Sequence, residues 1–494
     1  MANRCPSCGG TLRFDIQKQK LVCEYCESEF APDSIAEMGG AGESEAFGSE
    51  PESETMDAKI FTCPNCGAEV FATDLDAVEY CSYCGTFVTL ESRLAKLQKP
   101  SYILPFTITK EKCLELYKEK LKKTHFLPKD MQANNAENMF RNTYIPFWVY
   151  TEKMNPDASV KSSTTESWRS GNTEYTQHYD ISAKPEGTVD GIFFDASATL
   201  DDRISEQIGN FSLDSLQPYN SSLMTGSYAD VADVEKNVYE DDVRKKGEDT
   251  ISNAVASEIN SQDRFSSDFR HHSSVSHLSS KNTDGNYSNV DAKLAMLPVW
   301  FMTWKNKDRL CYSVINGNTG KMFAEIPADL KKYTLVSLLL SLPIFAIFNF
   351  CFTFMPGTIL LITAVLTAIM FFTRMGVLKK LNRQENRMDD KGFQRVFAAQ
   401  EGQSSQTERS ASNESSEKEG KKKVSLSGIP SIIALAVTAF LIYKKYPNDL
   451  YYYIGVFLNI LSTFVSVASV VKAHNLSCSR PIPHFFDKSK EAGK

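Results

Sequence analysis

Positive charge is scarce at the start of this chain. Residues 1–99 hold 17 Asp and Glu against 8 Lys and Arg, a net of −9 in a chain whose total is −7. Four thiolates around a divalent metal would add to that deficit. A phosphate backbone is bound mainly through Lys and Arg, so nucleic acid is a disfavoured partner for this region. The usual catalytic signatures are missing too. There is no phosphate loop, no nucleophile elbow and no paired-carboxylate motif, and Asp201-Asp202 and Asp241-Asp242 read as charged surface. Histidine is sparse, and His271, His272 and His277 sit on a Ser-rich stretch without Cys or carboxylate at helical spacing. They read as solvated loop side chains rather than ligands. The chain opens without a basic-then-apolar segment, so its N-terminal part is expected to remain unexported.

Cysteine, by contrast, is concentrated. Eight of 12 cysteines fall in the first 84 residues as four Cys-x-x-Cys pairs. Cys5-Pro-Ser-Cys8 precedes Cys23-Glu-Tyr-Cys26 by 14 residues, and Cys63-Pro-Asn-Cys66 precedes Cys81-Ser-Tyr-Cys84 by another 14. In a reducing compartment such pairs bind metal rather than form disulfides. Two residues between cysteines let one turn present both sulfurs to one ion, and Gly9, Gly67 and Gly85 suit that turn. The expectation is two structural Zn2+ sites, Cys5, Cys8, Cys23 and Cys26 in the first and Cys63, Cys66, Cys81 and Cys84 in the second. Four sulfurs leave no open position for water or substrate, so catalysis at the metal is not expected. Redox Cys-x-x-Cys and iron–sulfur centres are the alternatives. Cys113, Cys311, Cys351 and Cys478 are isolated and read as small buried hydrophobes.

At 494 residues the chain should hold several units. The fold expected is multidomain: two small β zinc ribbons, an α+β domain and α-helical transmembrane hairpins. Ribbons are expected over 1–30 and 60–92, joined by an acidic flexible linker over 31–59. The α+β domain is expected over 100–330. Within it Ser101–Ile108, Tyr144–Tyr150, Glu174–Ala183 and Thr188–Asp195 read as strands, Lys110–Lys123 and Val231–Ile259 as helices, and Ser266–Ser280 as polar loop. Tyr144-Ile-Pro-Phe-Trp148 resembles Met296-Leu-Pro-Val-Trp300, suggesting an internal duplication. Arg309–Ile315 and Lys321–Ile326 flank Asn316-Gly317-Asn318-Thr319-Gly320, a hairpin signature. Trp148, Trp300 and Trp304 read as core packing rather than a ligand pocket.

Apolar stretches over 333–373 and 424–471 are expected to form two transmembrane hairpins, since a spanning helix needs about 20 apolar residues. No charged residue lies inside the spans, which therefore read as anchors rather than a transport path. Ser462, Ser466 and Ser469 share one helix face and suit close packing. Lys and Arg flank the hairpins on one side, at Lys331, Lys332, Arg374, Lys379, Lys380, Arg383 and Lys421–Lys423, against Lys444 and Lys445 on the other. Both termini, a disordered 384–423 loop and a 472–494 tail are thus expected on the cytosolic face of a multi-pass protein in the cell membrane.

Together, the Cys-Pro-x-Cys-Gly pairs, Tyr144-Ile-Pro-Phe-Trp148 and Leu297-Pro-Val-Trp300 followed by Tyr312-Ser-Val-Ile-Asn-Gly-Asn-Thr-Gly-Lys321 resemble the bacterial TFIIB-type zinc-ribbon membrane proteins. The ribbons alone also resemble a PriA-like helicase, but no helicase motif is present. The family resemblance implies a role beside PspA in envelope stress, recruiting an SPFH-type protein to the bilayer. The chain departs from that pattern in its acidic linker and its loop between hairpins. The reading reached is a non-enzymatic, membrane-anchored zinc-binding adaptor that recruits or scaffolds protein partners. On that reading Glu24, Tyr25, Ser82 and Tyr83, beside the knuckles, are exposed and make the contact; otherwise the two tyrosines pack on their own hairpins. The alternatives to an adaptor are a membrane-tethered nucleic-acid binder and an enzyme with a scattered site in residues 100–330.

Overall fold

The computed structural model describes residues 4–38, 55–72, 81–86, 91–128, 131, 139–154, 158–183, 187–261, 272–280, 288–306, 309–351, 355–401, 428–444 and 447–483. The N-terminal unit is a three-stranded sheet of β1 (Leu12–Asp15), β2 (Lys20–Cys23) and β3 (Glu29–Phe30). Its small core joins Leu12 and Leu21 to Ile35 of a short helix, α1 (Pro32–Met38). The segment expected to be linker thus begins as helix; residues 39–54 lie outside the described residues. The unit rests on the rest of the protein. Phe14 N–H donates to the Thr225 carbonyl at 3.3 Å, and Gln19 Nε2 donates to the Phe106 carbonyl at 2.7 Å.

Among the described residues, a twelve-stranded sheet organises the chain beyond this unit. Its main path runs β12 (Gln217–Pro218), β7 (Tyr102–Ile103), β15 (Ser288–Asn306), β8 (Arg141–Met154), β13 (Tyr228–Asp230), β5 (Glu69–Ala72), β4 (Thr55–Thr62) and β6 (Glu91–Gln98). Four more strands complete it: β11 (Thr188–Asp195) on β8, and β16 (Arg309–Asn316), β17 (Met322–Ala324) and β18 (Arg480–Pro481) beyond β15. The second ribbon is therefore not a separate module. Its strands β4 to β6 belong to the large sheet because β5 pairs with β13, Phe71 opposite Ala229. Phe61, Val70 and Tyr83 share one core with Ile145, Phe301 and Val314.

The two proline–tryptophan sequences lie side by side and antiparallel on β8 and β15. Tyr144 faces Pro298, and Pro146 faces Met296, so the two copies are related by a local twofold. The details repeat. The Pro146 carbonyl accepts Ala196 N–H and the Pro298 carbonyl accepts Gly317 N–H, each at 2.8 Å. Trp148 Nε1 donates to the Val234 carbonyl and Trp300 Nε1 to the Ile108 carbonyl, again at 2.8 Å. Both prolines lie inside their strands rather than at their starts. Both tryptophans are core, as expected. The hairpin after β16 also matches expectation. Gly320 has φ +75°, and a side chain at Gly317 would meet Phe106 and the Pro298 carbonyl.

Helix α2 (Lys110–Lys123) forms where its apolar stripe places it, with Thr109 accepting Lys112 N–H at its start. A short α3 (Asp202–Ile208) comes after β11, and α4 (Glu240–Ser261) starts nine residues later than expected, leaving Val231 and Val234 in the preceding segment. The Ser-rich stretch expected as loop is instead a strand, β14 (His272–Ser280). It lies on β9 (Ala158–Ser170), which also pairs with β10 (Thr173–Ala183), in a separate polar sheet. This strand is recruited by its neighbour and shows no apolar alternation of its own.

Helices α5 (Leu330–Cys351), α6 (Pro356–Glu385), α8 (Ile429–Lys444) and α9 (Asp449–Ser477) carry the apolar stretches, with α7 (Lys391–Glu401) between α6 and α8. By length and composition α6 and α9 could each cross a membrane; in their most apolar windows only 11% and 28% is buried. The bundle is held by a polar seam. Thr367 Oγ1 donates to the Asn459 carbonyl at 3.2 Å, Asn459 Nδ2 to Thr438 Oγ1 at 2.7 Å, and Ser462 Oγ to Ser431 Oγ at 2.9 Å. Leu360 meets Gly455 as Thr367 meets Asn459, so α6 and α9 run parallel and α8 runs against them.

The segment expected to be disordered over 384–423 is in part ordered. Arg387 donates to the Leu200 carbonyl at 2.6 Å, Asp390 accepts Phe393 N–H at the start of α7, and Phe393 and Val396 pack on the core around Trp148 and Phe194. Residues 402–427 lie outside the described residues. The segment expected as a tail over 472–494 continues α9 to Ser477 and then forms β18, which pairs with β16; residues 484–494 lie outside the described residues.

If the twin tryptophans are equivalent, Trp148→Phe and Trp300→Phe should cost comparable stability. Each removes the indole donor from one carbonyl, Val234 or Ile108, at a cost of about 1–3 kcal/mol. Denaturant unfolding followed by circular dichroism checks this; a neutral result at either position ends the equivalence.

Candidate metal centres

Each tetrad is assembled from two knuckles with the same backbone. In the first, Cys5 N–H donates to the Gly10 carbonyl and Gly9 N–H to the Cys5 carbonyl, both at 2.8 Å, with Gly9 at φ +76°. The second has Cys23 N–H on Ser28 and Glu27 N–H on Cys23, and Glu27 takes the left-handed position at φ +56°. In the third and fourth, Gly67 and Gly85 fill it at +76° and +66°. Glycine adopts this geometry without cost, which is why three knuckles are legible in full. The Glu27 turn carries no such signal.

The eight predicted cysteines come together as two groups of four, each with all sulfurs within 4.8 Å of one another. Cys5–Cys26 and Cys8–Cys23 sulfurs are 3.6 and 3.5 Å apart; Cys63–Cys84 and Cys66–Cys81 are both 3.7 Å. A tetrahedral ion with metal–sulfur bonds near 2.3 Å requires edges of about 3.8 Å, so both tetrads fit such an ion. Without a metal, four neighbouring thiols cannot all ionise. Hydrogen bonding with Cys63 holds Cys84 down and pushes Cys66 up. The Ser28 hydroxyl, 3.2 Å from Cys26, lowers that thiol to about 6.

The two centres differ in setting. In the first, Cys5 and Cys23 are buried while Cys8 and Cys26 are exposed; in the second all four are buried. The residues at equivalent knuckle positions differ just as much. Tyr25 is 76% exposed, with Glu24 beside it, whereas Tyr83 is 1% exposed and Ser82 is buried. An exposed pair at both knuckles is the expectation from sequence, and burial of Ser82 and Tyr83 overturns it for the second. The Tyr83 hydroxyl donates to Asp230 at 2.5 Å, and its ring lies 5.5 Å from Phe301. The backbone carbonyls of the knuckle are also taken, Ser82 by Thr303 Oγ1 and Tyr83 by the Tyr312 hydroxyl at 2.6 Å. Burial raises Asp230 to about 6, against the lowering effect of hydroxyls from Ser197, Tyr83 and Thr199.

None of this second layer could be read from sequence, because Asp230, Thr303 and Tyr312 lie over 140 residues from the knuckle they hold. Of the other ligand candidates, His272 and His277 fall on β14, and His271 lies outside the described residues. The ligand clusters found among the described residues are the two cysteine tetrads.

Comparison with known proteins yields a distant relative. The chain is 24% identical over 332 residues to the uncharacterized protein YdjG of Bacillus subtilis (strain 168), covering 66% of this chain and 89% of that protein. No family model matches, and no solved structure matches significantly.

Full-length protein should carry two metal ions and release them to a chelator in two phases. The fast phase belongs to the half-exposed first tetrad, and Cys23→Ser should abolish that phase alone. Metal analysis and a colorimetric chelator read both; one ion per chain, or visible iron–sulfur absorption, would sink this assignment.

Proposed function

We propose that the protein is a non-enzymatic adaptor, anchored in the membrane by two helical hairpins, whose metals are structural Zn2+. It offers the first cysteine unit to a protein partner on the cytosolic face. The observation that carries the reading is the contrast between the two knuckles. Tyr83 is spent on the protein's own core, while Tyr25 stands exposed over Gly10 beside a sulfur that needs no further ligand. Tyrosine is favoured at binding surfaces because it brings a large amphipathic area at low entropic cost. A buried, saturated second tetrad has no surface to offer.

Two observations support the anchor. Leu338, Phe350, Phe372, Phe457 and Phe464 are each more than half exposed, a surface that lipid covers better than water. The ends of the helices also return to one place. Asn475 hydrogen-bonds both backbone groups of Ala328, just before α5. Arg309 ion-pairs with Glu385, the last residue of α6, and donates to the Leu476 and Ser479 carbonyls at the end of α9. A chain that leaves and returns to the same sheet crosses a bilayer an even number of times. With Lys331, Lys332, Lys379, Lys380 and Arg383 around these returns, the sheet belongs on the cytosolic side. The acidic balance of residues 1–99 opposes nucleic acid as the partner.

An export-dependent reporter fused after Asp449 should be active, and one fused after Gly420 inactive; the reverse pattern overturns the topology. Glu24→Ala with Tyr25→Ala should leave metal content and membrane insertion unchanged while reducing recovery of cytosolic proteins cross-linked to the wild type. Salt-sensitive retention of nucleic acid by the purified chain at physiological salt would replace the adaptor reading altogether.

A further inference from the structure

The chain leaving α9 is tied to the second tetrad through three successive contacts. The Arg480 guanidinium, three residues beyond the end of α9, lies 4.4 Å from the centre of the Tyr312 ring. It pairs with Glu325 at 2.5 Å and with Asp201 at 3.3 Å. Glu325 in turn accepts Tyr312 N–H at 2.9 Å, so one carboxylate holds both the arginine and the tyrosine backbone. From its other end Tyr312 donates its hydroxyl to the Tyr83 carbonyl, between Cys81 and Cys84. The Tyr312 ring touches both Arg480 and Phe301, whose ring centre is 5.0 Å away in an edge-on contact, and Phe301 also packs on Tyr83.

We propose that Arg480 is a positioning residue of the second cysteine centre, acting through Tyr312. Metal retention at that centre and seating of the chain after α9 on β16 are thus one coupled equilibrium. The coupling is mechanical. Cys81 and Cys84 belong to a five-residue turn whose two inner carbonyls are fixed by side chains of β15 and β16 rather than by the turn itself. Tyr312 can hold its hydroxyl on Tyr83 only while its ring stays packed against Arg480 and Phe301. Arg480 supplies one of these contacts, and it stays there because Glu325 and Asp201 pair with it and because Arg309 clamps Ser479 at 2.8 Å. Withdraw Arg480 and the ring gains freedom, the carbonyl loses its donor, and the two sulfurs lose their fixed spacing. Coupling of this kind is reciprocal: emptying the tetrad must loosen the tail by the same factor by which losing the tail loosens the metal. The first tetrad, which shares none of these contacts, is the internal control.

The test uses the full chain in detergent, loaded with Zn2+, with release to a chelator followed in time and the phases assigned by Cys23→Ser. Arg480→Ala should speed the slow phase by about 5-fold or more and leave the fast phase unchanged. Tyr312→Phe keeps the ring and removes the hydroxyl; it should speed the slow phase as well. Adding Arg480→Ala to Tyr312→Phe should then change little, because the route is already cut. In the reverse direction, Cys84→Ser should raise hydrogen exchange over residues 476–483 while Cys23→Ser should not. An unchanged slow phase in Arg480→Ala overturns the proposal. So does equal acceleration of both phases, which would mean general loosening, or full multiplication of the two effects in the double variant. If Cys84→Ser fails to accumulate, the Arg480 and Tyr312 variants decide the matter, since both leave the tetrads intact.

Discussion

Four buried sulfurs within 4.8 Å of one another are the constraint on which the large sheet depends. As thiolates they repel, and as thiols they leave the knuckles held by weak bonds alone. A divalent ion turns the same four groups into the tightest junction in the region, which is why structural metal sites contribute directly to folding energy. Here that junction is not at the edge of a small appendage. It closes the loops between β4, β5 and β6, and β5 continues into β13 and β8 at the middle of the sheet. An ion held there would therefore support the centre of the large sheet, and its loss would be felt far beyond residues 63–84.

The remainder of the sheet is built by repetition. A strand with an internal proline turns one carbonyl outward to a later segment, and a tryptophan two residues on donates its indole N–H to another. Proline inside a strand removes a ladder hydrogen bond and is tolerated where the local pairing makes room for it. Pairing the two copies with each other places both irregularities at the same level of the sheet, around one local axis. The asymmetry lies in the segments that each copy leads into. After β8 the chain runs into β9, β10 and β11, whereas after β15 it runs into the β16 hairpin and then the apolar helices.

What the sequence made legible was local. Cysteine spacing, the apolar stripe of α2, the Asn316–Gly320 turn and the long apolar stretches each declare themselves within about 20 residues. What it hid was set by distant partners. Tyr25 and Tyr83 occupy matching places in matching motifs, yet one faces water and the other a buried carboxylate, because only the second ribbon finds β13. The strand His272–Ser280 has no apolar alternation, and β18 is two residues long. Neither has an intrinsic signal; both exist because a neighbouring strand offers a free edge. The docking of α7 was hidden for a similar reason, since Phe393 and Val396 are too few to mark a buried helix by themselves.

The position of β18 also fixes the order in which the domain can be finished. Arg480 and Pro481 are synthesised after every apolar helix, yet they complete a sheet whose other strands precede those helices. Until the ribosome has delivered β18, β16 keeps an unpaired stretch of edge, and Glu325 and Asp201 face Arg203 without their second arginine. Pairings this distant in sequence form late, after the entropy of closing the intervening loop has been overcome. The nascent domain thus waits, incomplete, for β18, and a product truncated before it would be marked by an open edge that proteases and chaperones can recognise.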